Sequence, residues 1–209
     1  RGTVQSEALG EAREYRVFNP GARGALVYAL DGQTIRNGLS PAVLLTLGAI
    51  VQGKPLPQIV AIHSNSSRDR DFRPATSTPT YWRPNIVGHA PKFDRFLFDE
   101  LFPKFEHSAP PSRPRYLLGH SLAGLYALDL AARRTGHFTG VFAFAPTFSH
   151  DTSIMARLPL ACGHGTLLYA NWGLESARDT AVFQQTVAEW KAAKTCRGRP
   201  PLTARHHGS

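Results

Sequence analysis

Residues Tyr116–Ala132 read YLLGHSLAGLYALDLAA, and the way this stretch divides decides the fold. Tyr116-Leu117-Leu118 is a short apolar run stopped by Gly119, the pattern of a buried strand. From Leu122 to Ala132 the chain is apolar almost all round, which predicts a buried helix. Between the two lies Gly119-His120-Ser121-Leu122-Ala123-Gly124. A strand that passes into a helix within so few residues must turn sharply. Small residues two before and two after the central one let the backbone fold back on itself, and Gly119 and Ala123 fill those places. A turn of this kind lifts the Ser121 hydroxyl above the end of a sheet, at a helix N-terminus that favours developing negative charge. Ser121 is therefore the candidate nucleophile. Ala123 departs from the more usual glycine at its position, with Gly124 following at once.

Working outward, four more apolar runs read as buried strands: Ala25–Leu30, Gln58–His63, Val141–Ala145 and Thr166–Ala170. Their near-continuous hydrophobicity is that of parallel strands covered on both faces. Helices fall between them. Ser40-Pro41 marks a helix start, and the apolar segment that follows, AVLLTLGAIVQ, is expected to be well buried. Phe93, Phe96, Leu97, Leu101 and Phe105 recur at helical spacing, with Pro103 expected to kink or end that helix. Phe183, Val187 and Trp190 mark one face of another. Strands alternating with helices predict an α/β domain with a mainly parallel sheet. The 209 residues fit one domain, 1–209, without internal repeats. Ser64–Ala90 is the least regular stretch, and long loops of that kind are often functional. Ala109–Pro114 (APPSRP) reads as a loop before a strand rather than a linker.

Composition excludes several classes. With 42% apolar and 19% charged residues the chain has material for a core and no disordered character. The formal net charge is +9, but its arginines are scattered rather than gathered in a stripe. Nucleic acid is thus not the expected partner, whereas a basic field that attracts an anionic substrate fits. No apolar run reaches the eighteen or more residues of a membrane span. The two cysteines, Cys162 and Cys196, lack zinc-site spacing and read either as one disulfide in an exported protein or as two separate thiols. No signal peptide is visible. The chain begins with Arg1 rather than Met, so a processed start is expected and export is slightly preferred to the cytoplasm. Nothing in the sequence fixes an oligomeric state.

A serine hydroxyl needs a base to take its proton and an acid to orient that base, in the chain order Ser, acid, His. His206 and His207 follow the last helix and a short candidate strand, Pro201–Arg205, and fit the base. His120 is held in the turn, and His137, His150 and His164 read as surface or loop residues. Glu175 follows the strand Thr166–Ala170 and is preferred as the acid, with Asp179 four residues on as the alternative. A tetrahedral intermediate needs two N–H donors. Leu122 N–H, next after the nucleophile, is one. The second is expected after the strand that ends at Leu30, from Gln33 or Gly32.

These residues carry a family resemblance. Tyr28-Ala29-Leu30-Asp31-Gly32 resembles a Y-x-L-D-G segment, and Arg68–Pro74 (RDRDFRP) an R-x-R-D-hydrophobic-x-P signature. Gly88-His89-Ala90, Phe93, Phe96-Leu97 and Glu100–Pro103 follow a third motif. Ala8-Leu9-Gly10 with Arg13–Val17 resembles an opening strand, Ala145-Pro146-Thr147 stands for Ser-Pro-Ser, and His207-Gly208-Ser209 resembles an H-G-S segment. Together they resemble, over nearly the whole chain, the putative-esterase family of α/β hydrolases, which includes enterochelin and salmochelin esterases and is related to esterase D. The resemblance implies an α/β-hydrolase three-layer sandwich and cofactor-free, metal-free ester hydrolysis. It assigns the base to His207. It also makes Arg68 and Arg70 candidates for binding or polarising a small-molecule ester, the alternative being ion pairs with Asp69 or Asp71. Trp172, just before Glu175, is a further substrate-binding candidate. Members continue past the base into a final helix, which this chain is expected to lack. The rival expectations are an acyltransferase using the same acyl-enzyme, and a non-catalytic binding module of the same fold.

Overall fold

The computed structural model describes residues 1–34, 41–75, 77 and 88–171. Seven strands form one sheet: β1 (Gly2–Ser6), β2 (Glu11–Phe18), β3 (Leu26–Ala29), β4 (Gln58–Ile62), β5 (Arg115–His120), β6 (Gly140–Phe144) and β7 (Leu167–Asn171). Their order across the sheet is β1-β2-β4-β3-β5-β6-β7. From β4 to β7 every pairing is parallel, while β1 and β2 add an antiparallel edge. The α/β class and the mainly parallel sheet expected from the sequence are both present. The five apolar runs are the five parallel strands, with ends shifted by a few residues at most. β1 is the strand the sequence left unassigned. Only its Val4 and Ser6 are buried, so its apolar signal is weak, as befits an edge. β2 contains the opening-strand segment Arg13–Val17.

Helix α1 (Pro41–Val51) corrects an expectation. Its apolar sequence predicted thorough burial, yet Leu44, Leu45, Ile50 and Val51 are exposed, Val51 to 85%. Apolar content alone does not bury a helix, and these four side chains face outward. The Phe93–Phe105 helix is interrupted as Pro103 required, but by a wider device than a kink. It runs as α3 (Ala90–Arg95), a π-helical turn (Phe96–Leu101) and α4 (Pro103–Glu106). Phe102 N–H reaches back five residues to Leu97 O at 2.7 Å, and Pro103 supplies no donor to the ladder. This segment still buries Phe93, Phe96, Leu97, Leu101 and Phe102.

Helix α5 (Leu122–Arg133) is buried along Leu122–Ala132 as its composition demands, and it packs against β5 and β6. A short helix α2 (Arg68–Phe72) lies against it, with Phe72 edge-on to Phe93 and tilted against Tyr126. Helix α6 (Ile154–Gly163) packs on α5 despite an internal Pro159. Arginines join these helices from outside: Arg133 bonds Asp129 and Asp94, and Arg157 bonds Asp129.

The strand order creates one special place. The chain leaves β3 toward β4 on one side, and leaves β5 toward β6 on the other. Adjacent strands whose connections depart in opposite directions leave a crevice beyond their carboxyl ends, where open α/β sheets bind ligands. The turn after β3 begins at Asp31 and the turn after β5 holds Ser121.

Candidate active site

Ser121 sits between β5 and α5 with φ 57° and ψ −124°, a backbone conformation that L side chains rarely adopt. Such a conformation costs about 1–3 kcal/mol and persists only when its surroundings over-determine it. Here they do. Ser121 N–H donates to Phe144 O at 2.8 Å, and Ser121 O accepts from Leu125 N–H at 3.0 Å and Thr147 N–H at 3.4 Å. The turn after β6 therefore grips the serine from both sides of its Cα. Glycine is required at 119: a Cβ there would lie 2.2 Å from the Ala123 carbonyl oxygen. Because the backbone of residue 123 makes that approach, and not its side chain, alanine is accommodated at 123 in place of the usual glycine.

Leu122 is the first residue of α5, so intrahelical bonding leaves its N–H without a partner. Gln33 lies in a 3₁₀ turn, Gly32–Thr34, directly after β3. β3 and β5 are hydrogen-bonded neighbours, and Leu30 N–H continues their ladder to Leu118 O at 2.9 Å. The two candidate donor residues thus follow the carboxyl ends of adjacent strands. Gly32 makes this turn possible, since a Cβ there would meet the Ala61 carbonyl carbon at 2.5 Å.

The two arginines divide. Arg68 binds Asp31 through both Nε (2.8 and 3.0 Å) and Nη2 (2.6 Å), and its Nη2 also lies 3.4 Å from His120 O. It reaches Asp69 only at 3.9 Å. Its principal partner is therefore Asp31, 37 residues away in sequence and not considered from sequence alone. Arg70 does make the pair with Asp71 that the sequence allowed, at 3.3 Å, and approaches Glu11 at 3.8 Å. Asp71 itself is fully buried against Arg13 at 2.8 Å, with the Arg13 guanidinium over the Phe93 and Phe96 rings. That buried pair fastens α2 to β2 and so fixes where Arg68 stands.

Among the other histidines, His137 lies after α5, at the opposite end of the sheet from Ser121, packed on Phe98, Phe102 and Phe138. Topology removes it as a base for Ser121. Glu175, Asp179, His206, His207 and Trp172 lie outside the described residues, as does Cys196 and with it the Cys162 pairing. Among the described residues, no group of three or more His, Cys, Asp or Glu side chains is arranged to hold a metal ion. None of their helices is long and apolar enough to cross a membrane.

A family model described as "Putative esterase" matches residues 6–205. The chain belongs to that family. Membership supports ester hydrolysis as the chemistry of this chain. A comparison with curated proteins gives no match. Several solved structures share the fold. An IroE-like serine hydrolase from Shewanella oneidensis superposes with a TM-score of 0.80 at 22% identity, covering 100% of this chain and 73% of that one. The siderophore hydrolase EstA from Aspergillus nidulans gives 0.72 at 17% identity, over 98% and 85%. The enterobactin esterase FES from Shigella flexneri, solved in the presence of enterobactin, gives 0.71 at 19% identity, over 100% of this chain and 53% of FES.

Proposed function

We propose that this chain is a serine esterase that works through an acyl-enzyme on Ser121. The strained Ser121 backbone, held at the carboxyl end of β5 and the start of a buried helix, carries the reading. Conformational strain over-determined by its surroundings marks functional positions, and here it falls on the one residue of the turn with a nucleophilic hydroxyl. In this reaction Ser121 Oγ attacks the ester carbonyl while His207 takes its proton, and Glu175 orients the imidazole. The N–H groups of Leu122 and Gln33 stabilise the oxyanion. His207 then gives the proton to the leaving alcohol, and water repeats the sequence to release the acid. Arg68 stands beside the crevice with its charge largely matched by Asp31, and Trp172 is an aromatic wall for the substrate. Arg70, turned to Asp71 and Glu11, is the weaker candidate for substrate contact.

An aryl or small acyl ester, or the ester of a catecholate siderophore, is the proposed substrate class. The net charge of +9 favours anionic substrates, and fold relatives named as siderophore hydrolases favour the last. The test joins a fluorophosphonate probe to a panel of p-nitrophenyl esters and a triscatecholate lactone. Wild-type protein is expected to be labelled once per chain, and Ser121→Ala not at all. His207→Ala and Glu175→Gln are expected to lose most turnover, and Asp179→Asn little. Ester hydrolysis undiminished in Ser121→Ala would end the proposal.

A further inference from the structure

The crevice holds a chain of hydrogen bonds that the reaction steps above do not use. Gln33 Nε2 donates to Ser64 Oγ at 2.6 Å, and Gln33 Oε1 accepts from Ser64 N–H at 2.9 Å. Ser64 Oγ in turn donates to Asp31 Oδ1 at 2.5 Å. Asp31 takes the forked Arg68 guanidinium, and the same guanidinium reaches His120 O. One end of this chain is the residue offering an oxyanion donor. The other is the peptide that leads into Ser121. Asp31 is its centre: it is buried, its backbone stands at φ 55°, and its carboxylate is the shared acceptor.

We propose that Asp31 is a positioning residue, whose carboxylate sets the Gln33 turn against the end of β5 through Ser64 and Arg68. The inference rests on the esterase reading and deepens it. An oxyanion site works because its donors are placed before charge develops, so the spacing of two separate turns must be held rigidly. Asp and Asn are the residues that tolerate a left-handed backbone most readily, but Asn cannot offer two anionic oxygens to a fork and a hydroxyl at once. Arginine suits the other side, since its planar fork bonds a carboxylate and has an edge left for a carbonyl. Arg68 is thereby committed mainly to the protein, and its loss is expected to act on turnover more than on substrate binding.

The experiment measures kcat and KM separately with p-nitrophenyl acetate. In Asp31→Asn, kcat is expected to fall about 10–100-fold with KM within about twofold, the cost of a misplaced donor. Arg68→Gln should fall similarly, and the double variant no further than the worse single, since the two act as one unit. Ser64→Ala, a milder change that leaves the ion pair intact, should lower kcat about three- to tenfold with KM unchanged. The proposal is overturned if kcat survives in Asp31→Asn, if the two losses multiply, or if KM alone rises. Should Asp31→Asn not fold, unchanged kcat in Ser64→Ala overturns it. A wild-type chain that neither turns over nor takes the fluorophosphonate fails at the esterase reading instead, and the positioning role falls with it.

Discussion

The two ends of the parallel sheet are built on opposite terms. At the carboxyl end the backbone is strained: Asp31, Ser121 and Ala145 stand at φ 55°, 57° and 44° after β3, β5 and β6. Among the described residues only one other non-glycine residue has positive φ, Asn19, a residue type at ease there. At the amino end the left-handed positions fall to Asn19 and to glycines such as Gly136, and polar side chains gather on Glu106. Glu106 accepts from Tyr28 Oη at 2.8 Å and Arg115 Nε at 2.9 Å, and lies 3.5 Å from His137 Nε2. Arg113 closes the same end by donating to the carbonyls of Ala22 and Gly24. Networks of buried polar groups rigidify a structure. The contrast teaches where stability and where function are invested: one end anchors the strands, and the other holds a few residues in costly geometry.

The sharpest way to break this comparison is Ser121→Gly. Glycine adopts the conformation of residue 121 without steric cost and has no hydroxyl. Hydrolysis should fall at least ~10³-fold, while unfolding free energy rises by about 1 kcal/mol, a trade seen where active sites are strained. Denaturant unfolding beside ester turnover checks both. A variant that loses activity and stability together would mean that the serine geometry is not strained.

Gly119→Ala presses on the same end from within. Its Cβ would overlap the Ala123 carbonyl, which is backbone and cannot swing aside. A loss of about 3 kcal/mol and of fluorophosphonate labelling is expected. Gly136→Ala is the control at the amino end, where a Cβ meets nothing within 4 Å and only φ 78° opposes it. About 1 kcal/mol is expected there, with kcat unchanged.

Much of this architecture was legible before any coordinates. The strand-to-helix turn at Ser121 could be read because everything that makes it, from Tyr116 to Gly124, is contiguous, and its needs are expressed as residue size. The five parallel strands were legible as apolar runs because they are covered on both faces. β1 was not, since a strand with two buried residues has no such run. The Asp31–Arg68 clamp was not legible either. It joins turns 37 residues apart, and its geometry depends on a left-handed Asp31 that composition does not announce. The burial of α1 was misjudged for a related reason: apolar content states how much surface a helix would prefer to hide, not how much neighbouring surface exists.

Glu106→Gln sharpens the amino-end half of the comparison. Burial alone pushes the Glu106 carboxyl up, but His137, the Tyr28 hydroxyl and the Arg115 guanidinium outweigh it and hold it below the ordinary 4.5. A carboxyl depressed in the folded state adds stability at neutral pH, and that part is lost as pH falls through the folded value. The variant should be less stable by about 2 kcal/mol at pH 7. Its difference from wild type should shrink below about pH 4.5, as both side chains become neutral. kcat per folded molecule should not change, because the hub lies at the far end of the strands from Ser121. A fall in kcat at constant fold would show that the two ends are coupled.

The smallest effect tests whether the strain of the carboxyl end is shared. Ala145 lies between Phe144, whose carbonyl receives Ser121 N–H, and the Pro146-Thr147 pair that returns an N–H to Ser121 O. Its left-handed backbone costs about 1 kcal/mol for an L residue, which glycine would release. Glycine also has more freedom in the unfolded chain, which takes back about half of that gain. Ala145→Gly should therefore gain only about 0.5 kcal/mol, or roughly 1–2 °C in Tm for a chain of this size. The grip on Ser121 is made by hydrogen bonds of the flanking residues, so kcat should stay within about twofold of wild type. A Tm that falls instead would place the strain on Ser121 alone. A clear loss of kcat with a higher Tm would mean that the stiffness of Ala145 itself keeps Ser121 in place.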